Sequence, residues 1–151
     1  MQMLTLDFED DCALIGIHST EEDYRLAFLL NKNLNIKFVR FKQPLDFKDS
    51  NAEFPIFEYK DEHNFISYYL INNKDIHTET NHISEGLFGG NYSTTSYLIP
   101  EKKKIDYFLK IEGSNVLFIA DLVEKLNRIK QIITSFSIDT NTLKSKNNLI
   151  F

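Results

Sequence analysis

The sequence predicts an α+β fold: a mainly antiparallel sheet with two helices on one face. Three observations carry this. Residues 105–112 alternate apolar and polar with a period of two, which marks a strand. Residues 117–129 place Ile119, Leu122, Val123, Leu126 and Ile129 at 3-4 spacing, which marks an amphipathic helix. Residues 12–30 repeat the same order, an Ile-rich run followed by a helical pattern, so two strand–helix–strand units flank a β-rich middle.

The elements follow in chain order. Cys12 to His18 reads as a buried strand. Ser19 and Glu22 have capping-box spacing, and Glu21, Glu22 and Asp23 suit the positive end of a helix dipole. The helix that follows is expected to turn Tyr24, Ala27, Phe28 and Leu30 inward and to end at Asn31-Lys32-Asn33. Residues 34–42 alternate until the adjacent Phe38 and Val39, which suggests a strand with a bulge. Pro44 to Asn51 reads as a polar loop. Residues 54–60 and 65–72 form a hairpin pattern around Asp61-Glu62-His63-Asn64.

Residues 73–94, with Gly86, Gly89, Gly90 and several Ser and Thr, read as a long loop or one hiding a short element around Ile83 to Phe88. Tyr97-Leu98-Ile99 returns to strand character. Pro100 cannot donate to a ladder and closes it, and Pro100 to Lys104 forms a charged turn. The next strand is expected to face Ile105, Tyr107, Leu109 and Ile111 one way and Asp106, Phe108, Lys110 and Glu112 the other. Gly113-Ser114-Asn115 breaks it and supplies an N-cap. Glu124 and Arg128 make an i,i+4 pair in the second helix. Residues 132–138 close the second unit with Phe136 and Ile138 on one face, and Leu149-Ile150-Phe151 is expected to dock on the sheet. Among known layouts, a ferredoxin-like sheet extended by the central hairpin fits this order best.

Composition narrows the function. At 151 residues and 42% hydrophobic, with thirteen Phe and seven Tyr, the chain reads as one domain spanning 1–151, able to bury a sizeable core. Net charge is −5, and Arg25, Arg40 and Arg128 are the only arginines, which argues against specific nucleic-acid recognition. The single cysteine, Cys12, excludes an internal disulfide and sits beside acidic and apolar neighbours, the setting of a buried structural thiol. Met1-Gln2-Met3-Leu4 lacks the pattern of a signal peptide, and no apolar run reaches the ~18 residues of a membrane span. A cytoplasmic protein is expected.

No catalytic signature stands out. Gly86 to Gly90 is not followed by the Lys-Ser/Thr of a phosphate loop. The histidines, His18, His63, His77 and His82, have no spacing that matches a metal site. Lys102-Lys103-Lys104 is too short for a basic interaction patch. Glu101 and Asp106 invite a paired-carboxylate reading. Two alternatives stand beside it: solvated charges next to the nearby lysines, or Asp106 accepting backbone hydrogen bonds from the 100–104 turn. His18, at a strand end before a helix N-terminus, is the one histidine placed where a ligand-contacting residue often sits.

Ile99-Pro100-Glu101, a three-residue gap, then Ile105-Asp106-Tyr107 resembles the signature of the bacterial IPExxxVDY family, with Ile105 where the family name has Val. The resemblance implies a small bacterial domain of about this length and marks Ile99, Pro100, Glu101, Asp106 and Tyr107 as candidate binding residues. The family has no assigned activity, so it implies no reaction. Residues 107–138 are also similar in layout to half of an ACT-type regulatory domain, without the Pro-Gly pair expected in the loop at 112–117.

The sequence therefore leads to a non-catalytic protein-interaction or small-ligand-binding module with no cofactor and no metal, expected to form a homodimer through its sheet or edge strands. The motive is aromatic excess: Phe57, Tyr59, Tyr68 and Tyr69 cannot all fit one side of a small core, and exposed aromatics mark interfaces. The alternatives are a small enzyme with a site near His18 and Glu101, and RNA binding through the sheet aromatics.

Overall fold

The computed structural model describes residues 12–41, 43–46, 52–80 and 91–151. The expected loop residues Gly86, Gly89 and Gly90, the short element at Ile83 to Phe88, His82 and most of the 44–51 loop lie outside them. The class is as expected: two helices and a mainly antiparallel multistranded sheet.

Strand β1 (Cys12–His18) leads to helix α1 (Asp23–Leu34). Short strands β2 (Val39–Arg40), β3 (Leu45–Asp46) and β4 (Glu53–Phe54) precede the hairpin of β5 (Ile56–Asp61) and β6 (Ile66–Asn72). A second hairpin pairs β7 (Lys74–Thr80) with β8 (Asn91–Tyr97). A 3-10 turn (Pro100–Lys102), β9 (Tyr107–Glu112), α2 (Val116–Asn127), β10 (Thr134–Ile138) and two more 3-10 turns complete the chain. Six strands form one sheet in the order β10-β1-β9-β6-β5-β2, with every pair antiparallel. The β9–α2–β10 unit brackets β1, so first and last strands are neighbours.

The sheet buries both faces, and this corrects the aromatic argument. On one face Ile15, Ile17, Tyr68, Leu70, Tyr107, Leu109 and Ile111 pack under both helices. On the other, Leu14, Tyr69, Ile71 and Phe108 pack under Leu98, Ile99, Ile105, Leu143 and Leu149. Phe57, Tyr68 and Tyr69 are all buried, because period-two alternation shares adjacent aromatics between two cores. The β9 face that carries Phe108 and Lys110 is likewise buried, down to Lys110 at 2% exposure. Ile105 departs from the expected alternation: it precedes β9 and packs with Phe108 on the face opposite Tyr107.

Several local expectations are also revised. Helix α1 turns Leu26, Ala27 and Leu30 inward, leaving Tyr24 and Phe28 at 59% and 64% exposure. Its capping box does not form. Glu22 is the N-cap without a side-chain bond, and the Ser19 hydroxyl instead donates to the Gln131 carbonyl at 2.8 Å. The 34–42 strand shrinks to β2, because the Asn31 side chain brackets the Phe38 amide and carbonyl and holds them out of a ladder. The expected loop at 73–94 contributes β7 and β8. That ladder is rich in Thr, Ser and Tyr and rests on hydrogen bonds, with no apolar alternation to announce it. Cys12 is half-buried, its Sγ 3.9 Å from Glu112 Oε1.

Other expectations hold. Asn115 caps α2 by accepting the Phe118 amide at 2.8 Å, and Arg128 meets Glu124 at 2.6 Å. The hairpin loop is closed by Asp61, which accepts from the Asn64 side chain at 2.7 Å. The chain end docks as expected, with Leu149 fully buried and the Phe151 ring edge-on to Tyr69.

Candidate functional site

Residues 98–107 leave the β7–β8 hairpin, cross one face of the sheet and enter β9. Ile99 and Ile105 are buried, while the Pro100–Lys102 turn between them is exposed. One buried polar residue organises this crossing. Asn73, with no exposure, donates its amide to the Lys102 and Ile105 carbonyls at 2.9 Å each and accepts the Ile99 amide at 2.8 Å. Its backbone N–H reaches the Asp106 carbonyl and its C=O takes the Leu98 amide. A buried polar side chain is tolerable when its groups are paired, and here the pairing fixes the shape of the turn. Nothing in the sequence around Asn73 signals this.

The five candidate residues separate into two places. Glu101 lies on the outer side, its carboxylate accepting the Ser145 amide at 2.8 Å. Burial works against its charge, but hydrogen bonds from its own amide and from Ser145 outweigh that and hold its carboxyl below the usual range. Asp106 and Tyr107 lie at the N-terminal end of α1. Asp106 does not accept from the 100–104 turn. Its Oδ2 takes the Ser19 amide at 3.0 Å and stands 3.7 Å from His18 Nδ1, and its Oδ1 is 3.6 Å from Lys74 Nζ. The Tyr107 hydroxyl donates to the Glu21 carbonyl at 2.5 Å. Burial, with Asp23 and Asp106 nearby, pushes that phenol up. The structure thus joins His18 to Asp106 and to the Phe136 ring, while Glu101 serves the C-terminal segment.

A cavity of about 540 Å³ opens beside Asp106 and Tyr107, between residues 19–23 and Asn72, Lys74, Asp75 and Ile76. Three of its five carboxylates hold neighbouring groups: Asp106 as above, Asp75 the Glu53 amide and Glu21 the Arg25 guanidinium. Among the described residues no group of three His, Cys, Asp or Glu is arranged to hold a metal ion. His63 is exposed in the hairpin turn, and His77 lies in β7.

A different region breaks the rules of a solvated surface. At the end of the sheet where β6 and β9 meet α2, Phe65, Val116 and Leu117 are 86%, 85% and 81% exposed. Their chain neighbours Asn64, Ile66, Asn115 and Phe118 line one shared depression of about 440 Å³. Phe65 has φ 57°, a conformation costly for a bulky L-residue. Gly113 opposite it has φ 84°, and a Cβ there would lie 2.3 Å from the Phe65 carbonyl oxygen, so only glycine lets the two backbones meet. None of the sequence patterns described above marks this end. The available signal was Val116-Leu117, apolar residues directly after the N-cap but off the 119-122-126 stripe.

Among the described residues no helix is long and apolar enough to cross a membrane. Comparison with protein-family models, with curated proteins and with solved structures returns no match.

Proposed function

We propose that the protein is a non-catalytic, cytoplasmic interaction module that binds a protein partner through the end formed by Phe65, Val116 and Leu117, and that a second copy of this chain is the first such partner. The observation that carries this is the near-complete exposure of those three large apolar side chains at one end of the sheet. Soluble proteins that expose apolar clusters generally cover them on binding. A strained, exposed Phe65 adds weight, since backbone strain persists where function keeps it.

We also propose that residues 99–107 are an IPExxxVDY-type signature whose role is to build the fold. Supporting it, Ile99 and Ile105 are buried apolar anchors, Asp106 ties Ser19, and Tyr107 ties Glu21.

Sedimentation velocity across the micromolar range tests the proposal, with wild type beside Leu117→Asp. A dimer that dissociates on dilution and is lost in the variant supports it. If wild type stays monomeric throughout, and bait columns carrying wild type and Leu117→Asp retain the same lysate proteins, this surface is not the interface.

A further inference from the structure

On the sheet face away from the helices lies a second kind of concavity, of about 370 Å³. Ligand pockets fall in the range of roughly 300–1,000 Å³ and are mostly apolar with a few placed polar groups. Strand β5 turns Ile56, Glu58 and Lys60 toward it by alternation, and Tyr69 stands directly across from Glu58 on β6. Phe41 enters beside Ile56, fixed by a 2.7 Å bond from its amide to the Ile56 carbonyl. Phe151 closes the other side, its ring 5.2 Å from the Tyr69 ring at 81° and 4.2 Å from Lys110 Nζ.

We propose that this groove binds a free aromatic amino acid. The chain itself shows the chemistry the walls accept, because a phenylalanine ring already packs edge-on against Tyr69 there, and edge-to-face contacts are a favoured aromatic geometry. The polar end supplies both signs of charge. Glu58 Oε1 and Lys60 Nζ are 3.9 Å apart, beyond direct hydrogen-bond distance, with Lys60 59% exposed. An ammonium on Glu58 and a carboxylate on Lys60 would each replace that loose contact with a charge-assisted hydrogen bond, while the ring lies between Phe41 and Tyr69. A purely apolar ligand leaves this charged pair unused, and a polyanion would meet Glu58. The site is separate from the Phe65 surface and does not depend on the partner proposal.

The test is an NMR amide titration of the full chain with L-tryptophan, repeated with N-acetyl-tryptophanamide, which has the same ring and no charges. Glu58→Gln and Lys60→Gln serve as variants, with circular dichroism to confirm their fold. Saturable shifts confined to residues around Phe41, Ile56, Lys60 and Tyr69 are expected. Each variant should weaken binding by roughly fivefold or more, and so should the neutral analogue. Absence of saturable shifts at millimolar L-tryptophan overturns the proposal. So does equal binding of the neutral analogue with no effect of either variant.

Discussion

The side-chain carbonyl of Asn73 accepts the amide of Ile99 at 2.8 Å, inside a core where Asn73 has no exposed surface. The same amide group spans the Lys102 and Ile105 carbonyls, so a single side chain closes the turn that delivers Ile99 and Ile105 to one core and Tyr107 to the other. Asn73→Ala takes the partner from the Ile99 amide and the Ile105 carbonyl, each costing about 1–3 kcal/mol when buried without one, while the Lys102 carbonyl keeps the Ile105 amide. A loss of about 3 kcal/mol or more in urea unfolding is expected. Asn73→Asp should be at least as harmful, because it turns a donor facing two carbonyls into an acceptor. A loss below about 1 kcal/mol for Asn73→Ala would show that water replaces the amide at little cost.

Phe65 offers the opposite case. Its φ of 57° costs an ordinary L-residue about 1–2 kcal/mol, which Asn largely avoids. The ring is 86% exposed, so its removal forfeits little packing. Phe65→Asn should raise stability by about 1 kcal/mol and weaken binding at the exposed end, the trade expected where function maintains strain. Thermal unfolding and sedimentation measured on the same variant check both halves. A lowered midpoint would mean the Phe65 ring packs in solution.

These two residues show which parts of the chain were legible. The second unit is legible because Asn115, the 119-122-126 stripe and the 107–111 alternation each carry a local signal of the structure they adopt. Helix α1 forms where its pattern places it but turns a different stripe inward. Tyr24 and Phe28 are bulky, yet the stripe that meets the sheet is Leu26, Ala27 and Leu30. The β7–β8 hairpin was invisible to a hydrophobic pattern because its strands are polar. The candidate site was half legible: Asp106 and Tyr107 do come together with residues 19–23, but Glu101 serves a segment 44 positions later in the chain, and Asn73 acts through contacts that only the fold creates.

Strand β10 is a sheet edge, and Asn127 covers part of it. Its Oδ1 accepts the Ser135 amide at 2.7 Å and its Nδ2 donates to the Ser135 carbonyl at 3.2 Å, imitating a neighbouring strand. Open edges invite pairing between chains. Asn127→Ala should cost about 1–2 kcal/mol, since two backbone groups lose their partner. It should also increase self-association that Leu117→Asp does not suppress. Unchanged light scattering together with unchanged stability would remove Asn127 from this role.

Alkaline stability follows from Tyr68. Burial, then the charges of Asp61 and Tyr59, push its phenol above the ordinary tyrosine value, up to about 12. A raised folded-state value means the native state holds its proton longer than the unfolded chain. Its contribution is therefore whole below about pH 10 and is lost as pH rises through about 12. Tyr107 shifts in the same direction. Urea midpoints should fall across that window and fall less steeply in Tyr68→Phe. Parallel slopes for the two proteins would show that Tyr68 ionises freely in the fold.

Lys110 tests how a buried ion pair is balanced on the second sheet face. Its side chain is 3% exposed, with Nζ 3.1 Å from Glu112 Oε1 and above the rings of Phe151 and Tyr69, while Glu112 keeps 35% exposure. Removing a charge from water is costly, and an ion pair recovers that cost only in part. Lys110→Met keeps the apolar stem and leaves Glu112 with access to solvent, so stability should stay within about 1 kcal/mol of wild type. Glu112→Gln leaves the buried ammonium facing a neutral amide, and should cost more, about 1–3 kcal/mol. The order of the two variants in urea unfolding is the decisive reading. If Lys110→Met is the more damaging, the ammonium stabilises the fold through the rings above it and not through Glu112.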